Sequence, residues 1–472
     1  MIPASELNDR YDVAVVGAGP AGLAAASLCA QAGLRCVLFD DQQGPGGQIY
    51  RGVTSSPFPR NAVLGEDYWR GEALVRAAAG TGAQYVAGAT VWGLLRPGEI
   101  AVSIGGGTRQ IRATRIILAT GAIERPFPIH GWTLPGVITA GAAQILLKSS
   151  GLVPAGRTVL AGCGPLLWLL GWQYLNAGAR IEAILDTTPG ANWRRALRHA
   201  LAFAASPYLV KGLRLMLAVR RALRVVAGVV EIRAEGGERI EAVSYRTAQG
   251  ATERLSADVL LLHQGVVPNV NLAMSADIAH RWSDTQLCWV PCVDGYGSTS
   301  LRHIAIAGDA AGIAGAEAAQ ARGQLAAIAA VRELTRTPLV EHERAARRML
   351  RRYERGRAFL DLLYQPAANF RRPRDEILVC RCEEVTARQV LETVAIGCPG
   401  PNQMKAFLRC GMGPCQGRFC GLTVTELMAQ ARGLSCGEIG YYRLRPPVKP
   451  ITLAEIAGLP TNEAAVKAVA RE

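Results

Sequence analysis

The sequence predicts an α/β protein: two strand–turn–helix–strand units followed by a small cysteine-rich domain. Three observations carry this. Val13 to Val16 is a short β-branched run that ends in Gly17-Ala-Gly19-Pro20-Ala-Gly22 and passes into the alanine-rich stretch Leu23 to Ala32. Thr158 to Ala161, followed by Gly162-Cys-Gly164-Pro, repeats that pattern. Seven of the twelve cysteines then fall between Cys380 and Cys436.

In the first unit, the apolar run reads as a buried parallel strand and the alanine-rich stretch as a helix. Gly17 allows the tight turn, Gly19 lets backbone approach a pyrophosphate, and Gly22 lets the helix pack close to the strand. The phosphates would sit at the helix N-terminus, where free N–H groups favour negative charge. A second apolar run, Cys36 to Phe39, ends in Asp40, about 20 residues on, where a carboxylate should accept a ribose hydroxyl. A glycine triplet alone is a weak signal; this one stands in its full strand–turn–helix–strand context.

With 472 residues, the chain should form two to four domains. Half of it is hydrophobic, with 52 Gly and 19% charged residues, which suits a glycine-rich α/β enzyme with large buried sheets. No uncharged apolar run is long enough to span a bilayer. The opening MIPASELNDRYD lacks a basic region followed by an apolar core, so no signal peptide is read there. In such a chain, crowded cysteines point to metal or redox use rather than to a disulfide scaffold. The net charge is +14, concentrated in Arg194 to Arg224 and Arg344 to Arg374. These segments read as solvated helix faces, as docking sites for an acidic companion chain, or as contacts to an anionic membrane surface. No nucleic-acid-binding signature accompanies the charge.

Past Asp40, the loop Gly44-Pro-Gly46-Gly47-Gln48 is placed to pass a flavin's ribityl-phosphate. Ala73 to Ala79 reads as helix, and Gln84 to Val91 and Ile100 to Ile111 as strands with a turn at Gly105 to Gly107. Arg115 to Leu118 is an apolar strand ending in Ala119-Thr120-Gly121-Ala122, a small-residue turn where the chain can cross a bound cofactor and leave for a second domain. In the second unit, a helix to Ala177 and a strand Ile181 to Leu185 lead to Asp186. Leu167 stands where the third glycine belongs, and should push the helix off the strand or narrow the phosphate site. A working NAD site, an adenine nucleotide such as ATP held without chemistry, and an empty relic stay open there. Cys163 stands alone, which disfavours disulfide reductase chemistry. Arg194 to Ala227 reads as basic helix, followed by strands Val229 to Ile232, Ile240 to Tyr245 and Val259 to Leu262 and a turn at His263 to Asn269. Ser298 to Asp309 is a strand ending in Gly308-Asp309, and Ala310 to Ala330 reads as helix. The Asp309 carboxylate at that junction can accept ribityl hydroxyls; its bland reading is a helix cap.

In the cysteine-rich domain, Cys380-Arg-Cys382 is followed, after 32 intervening residues, by Cys415-x4-Cys420. Four thiolates in two close pairs suit a [2Fe–2S] cluster, which would also staple a segment with little core of its own. Structural zinc is the competing reading. Cys410 to Cys415 has the same x4 spacing, so that pair is the alternative to Cys415 and Cys420, which the sequence favours.

Taken in order, Gly17, Gly19, Gly22, Asp40, Gly46-Gly47-Gln48, Ala119-Thr120-Gly121, the second Gly-x-Gly and Gly308-Asp309 resemble the flavoproteins with two dinucleotide domains, the thioredoxin and glutathione reductases, over about residues 10–335. The resemblance implies two Rossmann-like domains with the second inserted in the first. FAD would be held by Gly17, Gly19, Pro20, Gly22, Asp40, Gly47, Gln48, Thr120, Gly121, Gly308 and Asp309, and a second nucleotide by Gly162, Gly164 and Asp186. Residues 1–145 and 296–335 would form the FAD domain, 146–295 the insertion and 336–376 a basic helical linker. Residues 377–437 resemble the bacterioferritin-associated-ferredoxin type of [2Fe–2S] domain, ahead of a tail at 438–472, with Cys380, Cys382, Cys415 and Cys420 as ligands.

The combination with VCRCEEVT, CGMGPCQGRFCG and Arg445-Pro-Pro-Val-Lys-Pro450 is similar to the α subunits of heteromeric amine and imino-acid dehydrogenases. That group includes opine oxidases, proline and hydroxyproline dehydrogenases and hydrogen cyanide synthase, with parts shared by sarcosine oxidase. The similarity implies an oxidoreductase acting on CH–NH or CH–NH2 donors. A β subunit with its own FAD would oxidise the amine, opine, imino acid or glycine, a small γ subunit would accompany it, and this chain would pass electrons through FAD and the cluster to an external acceptor, a quinone or another carrier. The expected location is the cytoplasm, with peripheral membrane association as the option that delivery to a quinone would call for. No Ser/His/Asp set appears and the six His are scattered, in keeping with a relay that lacks a substrate site. The rival expectations are a self-contained NAD(P)H-dependent FAD/iron–sulfur reductase and a binding or sensing protein that keeps its cofactors for structure.

Overall fold

The computed structural model describes residues 6–60 and 62–459. Its first sheet carries, in order, the strands Gln84–Ala87, Cys36–Asp40, Arg10–Val16, Gly107–Leu118, Glu99–Ile104 and Ala89–Leu94. Ile304–Ile306 returns late in the chain to pair, parallel, with the second half of Gly107–Leu118. The strand Arg10–Val16 is apolar on both faces, as a central parallel strand must be. Val13 and Val15 enter one apolar cluster with Ala25 and Leu28 of the first helix, while Ala14 and Val16 enter another with Phe39 and Val102. The helix Pro20–Gln31 starts with proline in its first turn, where no amide hydrogen is missed.

The second sheet is parallel throughout, ordered Val225–Ala227, Ile181–Asp186, Thr158–Cys163, Val259–Gln264 and Val137–Thr139. All its strands lie between those that the first sheet takes from residues 10–118 and from 304–306, so the second unit is inserted in the first. The chain leaves through Ala122–Glu124 and returns through Val266–Pro268, and these two crossings pair antiparallel. Beside them the buried His263 meets Glu124 Oε1 through Nδ1 at 2.6 Å, and Glu124 Oε2 accepts the Gly141 N–H at 2.8 Å.

Several local expectations change. Arg194 to Ala227 is three helices, Gly190–Leu197, Ala200–Ala204 and Tyr208–Ala222, and then a strand. Pro207 interrupts the helix, and the β-branched Val225-Val226 extends the sheet edge beside Ile184 and Leu185. Arg115 to Leu118 is the end of one long strand that starts at Gly107. His263 to Asn269 holds the return strand Val266–Pro268 rather than a plain turn, because its amides pair with Ala122–Glu124. The strand before Asp309 shrinks to Ile304–Ile306, and the helix expected from Ala310 begins only at Ala316, since Gly312 and Gly315 hold positive φ.

The last unit has its own core of Val379, Val390, Met404, Val424 and Leu427. Side-chain contacts tie it to the body and the linker. Trp132 Nε1 donates to Leu378 O at 2.9 Å, Asn271 Nδ2 donates to Gln416 O at 2.9 Å, and Arg371 of the linker makes a buried ion pair with Glu426. Other arginines of the linker pair locally, Arg344 with Glu341 and Arg347 with Glu343. The tail then crosses the first sheet: Val448 N–H donates to Trp92 O at 2.9 Å and Lys449 reaches Asp41. Residues 460–472 of the expected tail lie outside the described residues. Among the described residues no helix is long and apolar enough to cross a membrane.

Candidate functional site

A cavity of about 2480 Å3 runs between the two units and is lined by Gly17, Gly19, Asp40, Gln48, Thr120 and Asp309. Pro20, Gly47, Gly121 and Gly308 also border it, whereas Gly22 lies buried behind the turn. A Cβ on Gly22 would stand 1.8 Å from Gly17 O, so only glycine lets the helix seat on the strand end. A Cβ on Gly19 would meet nothing nearer than Gly47 Cα at 3.9 Å, and would occupy the cradle itself. The first-turn amides of a helix have no partner within it, so the turn offers donors to a phosphate.

Asp40 is mostly buried. Its Oδ2 accepts the Ala18 N–H at 2.5 Å and its Oδ1 the Gln42 N–H at 2.8 Å, and burial pushes its carboxyl above the usual range. Arg51 lines the same end, with Nη1 on Gln42 Oε1 and Nη2 on Gln48 Oε1, while its buried Nε has no partner among the described residues. An unpaired buried donor beside Asp40 is what a polar ligand would satisfy. At the far end Asp309 Oδ1 accepts Ala314 N–H at 2.8 Å and Gly315 N–H at 3.1 Å, so this carboxylate holds the loop ahead of the helix rather than capping its first turn. The apolar walls, the glycine cradle and the two acids fit a flavin dinucleotide.

Lys148 is fully buried against this cavity. Its Nζ donates to Ile49 O at 3.0 Å, Gln48 O at 3.3 Å and Gln144 Oε1 at 2.9 Å, which pins the glycine-rich loop. Burial, helped by the charge of Arg51, pushes its ammonium down to about 7. An unfolded lysine titrates near 10.4. Between about pH 7 and 10 the unfolded chain therefore holds the extra proton, and the cost of burying the charge is full below that window and fades as pH rises. Against a Lys148→Met chain, the native protein should gain stability steadily from pH 7 to 10; urea midpoints that keep a constant gap would contradict this.

The second turn differs. Gly162 lies near the end of the strand Thr158–Cys163, Gly164 precedes the helix Pro165–Asn176, and Asp186 ends the strand Ile181–Asp186, its Oδ1 accepting the Thr188 N–H at 2.9 Å. The fully buried Leu167 sits in the first turn of the following helix. The linker lies across this region. Asn192 Nδ2 donates to Leu363 O at 3.0 Å and Gln365 O at 2.9 Å, and Cys163 Sγ to Tyr364 O at 3.6 Å. Burial pushes the Asp186 carboxyl up. The main cavity takes in neither Gly162, Gly164 nor Asp186.

In the last unit the sulfurs of Cys380, Cys410 and Cys420, all buried, lie within 4.8 Å of one another. The Cys410 and Cys420 thiols and the amides of Gly411 and Glu383 hold the Cys380 thiol far below its usual range, while Cys410 is pushed up to about 12 by its place beside Cys380. Cys382 is at the surface, in contact with the half-buried Cys415. A Cβ on Gly413 would stand 2.2 Å from Cys382 Cβ, which explains that glycine. Of the four expected ligands, then, Cys380 and Cys420 lie together, Cys382 and Cys415 form an adjacent pair, and Cys410 joins the first two. Five soft thiols with backbone amides aimed at sulfur fit an iron–sulfur cluster, and also fit zinc. Tyr442, wholly buried, donates its hydroxyl to Cys410 Sγ at 3.3 Å. The spacing gave no hint of Tyr442 or Arg51; the basic residue that closes the glycine-rich loop was the available signal for the latter.

The flavin cavity and the cysteines share a wall. Arg381, between Cys380 and Cys382, and Arg418 and Phe419, just before Cys420, line the cavity that Gly17 and Thr120 line.

The chain matches the pyridine nucleotide-disulphide oxidoreductase family over residues 11–324 and the sarcosine oxidase A3 domain over residues 375–459. It is 46% identical to an opine oxidase subunit of Rhizobium meliloti, over 99% of this chain and 91% of that protein. It is 31% identical to hydrogen cyanide synthase subunit HcnB of Pseudomonas aeruginosa, over 95% of this chain and 98% of that one. Among solved structures, L-proline dehydrogenase from P. horikoshii shares its fold with a TM-score of 0.71 at 20% identity, over 95% of this chain and 79% of that one.

Proposed function

The chain belongs to the pyridine nucleotide-disulphide oxidoreductase family and, within it, to the α subunits of heteromeric FAD-dependent dehydrogenases, and we propose that it is the electron-relaying subunit of an opine or related amine oxidase. In this reading residues 1–145 with 296–335 hold FAD, and 377–437 hold a [2Fe–2S] cluster on Cys380, Cys420, Cys382 and Cys415. The wall shared by the flavin cavity and the cysteine loops carries the reading. FAD takes up electrons in pairs and gives them up singly, and an iron–sulfur cluster carries one at a time, which is the conversion a relay needs. The protein's part is placement. Lys148 and Arg51 fix the glycine-rich loop, Asp309 shapes the loop opposite, and Trp132 and Asn271 lock the last unit onto the cavity.

The donor is an opine, for which the 46% identical relative is named, or another amine, an imino acid or glycine, as the resemblance of the sequence implies. It is oxidised on a companion β subunit that carries its own FAD; the further partners are a quinone or other carrier and a γ subunit. The linker lying over Gly162 to Asp186 supports this against a chain that takes hydride from NAD(P)H. Mixing the purified, cofactor-loaded chain anaerobically with NADH or NADPH tests it. The flavin absorbance should persist for minutes, and should bleach only when an amine donor and the companion chain are both added. Rapid bleaching by a nicotinamide alone, or amine turnover by this chain alone, would overturn the reading.

A further inference from the structure

We propose that the outer face of the helices Gly190–Leu197, Ala200–Ala204 and Tyr208–Ala222 docks the protein on an anionic lipid surface. Between residues 190 and 228 the chain has eight basic residues and no acidic one. Two of the eight are neutralised, Lys211 by Asp67 and Arg224 by Glu253. Arg194, Arg195, Arg198, Arg214 and Arg221 are exposed and have no carboxylate partner among the described residues.

Set among these cations are large apolar side chains that reach water. Leu201, in the second of these helices, is 89% exposed, and Trp193, Leu197, Val210, Leu213 and Leu217 are each about half exposed. Along the longest helix Val210, Leu213, Arg214, Leu217 and Arg221 recur at helical spacing, so apolar and cationic groups share one stripe. Burying such a stripe in protein would need a groove that is both apolar and lined with acids at matching points. A bilayer offers those two properties in layers: anionic head groups for the guanidinium ends, and hydrocarbon just beneath for leucine and tryptophan, with the arginine stems spanning the boundary. Charge of a single sign around protruding leucines fits the layered surface better than the mixed-charge rim of a protein interface. No described helix is built to cross a membrane, so the contact is with the surface. Phe203, Leu215 and Met216 of the same helices line the flavin cavity, and the half-exposed Trp193, Leu197, Val210 and Leu213 border it too, with Arg214, so the docking face stands at the cavity's rim.

The test is sedimentation of the full-length, cofactor-loaded chain with vesicles of phosphatidylcholine alone or mixed with phosphatidylglycerol. At about 0.1 M salt the chain should pellet with the anionic vesicles and not with the neutral ones, and should come off as salt rises. Replacing Arg194, Arg195, Arg198 and Arg214 together by Gln should weaken partitioning by about a hundredfold or more. Leu201→Gln with Leu217→Gln should weaken it too, with flavin absorbance and thermal midpoint unchanged because both side chains face water. Equal binding to both vesicle types, or partitioning untouched by either variant, would overturn the proposal. So would variants that keep vesicle binding and lose a co-purifying polypeptide, since that would assign the face to a protein.

Discussion

Serine in place of Cys420 should strip the chain of iron and loosen its last unit while leaving the flavin in place. Cys420 is fully buried, and its sulfur meets those of Cys380 and Cys410 within 4.8 Å. A hydroxyl is a harder and weaker ligand than a thiolate, so the site loses a soft donor at its most enclosed point. Iron should fall from about two atoms per chain to nearly none, with loss of the visible absorbance that the cluster adds to the flavin spectrum. The core of this unit, Val379, Val390, Met404, Val424 and Leu427, is small. Removing the group that staples it should lower its own melting step by about 10 °C or more. Flavin content should hold, because Gly17 to Thr120 and Gly308 to Gly315 lie in another part of the chain. A Cys420→Ser chain that keeps its iron, or a native chain that yields zinc, would sink the cluster assignment.

The fifth cysteine sharpens the same experiment. A two-iron cluster takes two protein thiolates per iron. Cys382 and Cys415 are in contact with one another, and can supply one iron. The trio of Cys380, Cys410 and Cys420 holds one thiol more than the other iron needs. The sequence favours Cys420 over Cys410, and Cys410 is the member nearer the Tyr442 hydroxyl, at 3.3 Å against 3.5 Å for Cys420, which makes it the surplus member in this reading. Cys415→Ser should therefore lose iron as Cys420→Ser does, whereas Cys410→Ser should keep most of it.

What could be read in the sequence follows from how local each signal is. Gly17, Gly19, Gly22 and Asp40 act within one turn and one strand pair, and their spacing alone places them. The insertion of one unit in the other followed from repeated motifs in a known order. The long basic stretch reads as one helix because arginine and leucine favour helix at every position, while the break at Pro207 and the demand of a sheet edge for Val225-Val226 come from tertiary context. The grouping of Cys410 with Cys380 and Cys420 was hidden because two identical x4 spacings compete, and only the path of the loop around Tyr442 separates them. The linker over the second turn was illegible for the same reason: Leu363 to Gln365 carry no motif, and their carbonyls matter only because Asn192 reaches them.

Gly22→Ala and Gly19→Ala should both empty the flavin site, and should do so for opposite reasons. At Gly22 the added carbon would stand 1.8 Å from Gly17 O and 3.3 Å from Ala119 Cβ, so the helix must move off the strand. Forcing a methyl into so close a contact costs about 1–3 kcal/mol or more, and the chain should be less stable even without flavin. At Gly19 the backbone is extended, with φ of −75°, a conformation that alanine adopts freely, and the new carbon touches no protein atom closer than 3.9 Å. That chain should fold with an unchanged urea midpoint in the flavin-free form, yet bind FAD at least about tenfold more weakly, because the methyl fills the place where the pyrophosphate meets the helix. Gly44→Ala, on the same loop system with nothing within 4 Å of its added carbon, should change neither property. If Gly19→Ala bound FAD as well as the native chain, the cradle would not be where the phosphates lie, and the cavity beside the cysteine loops would need another occupant.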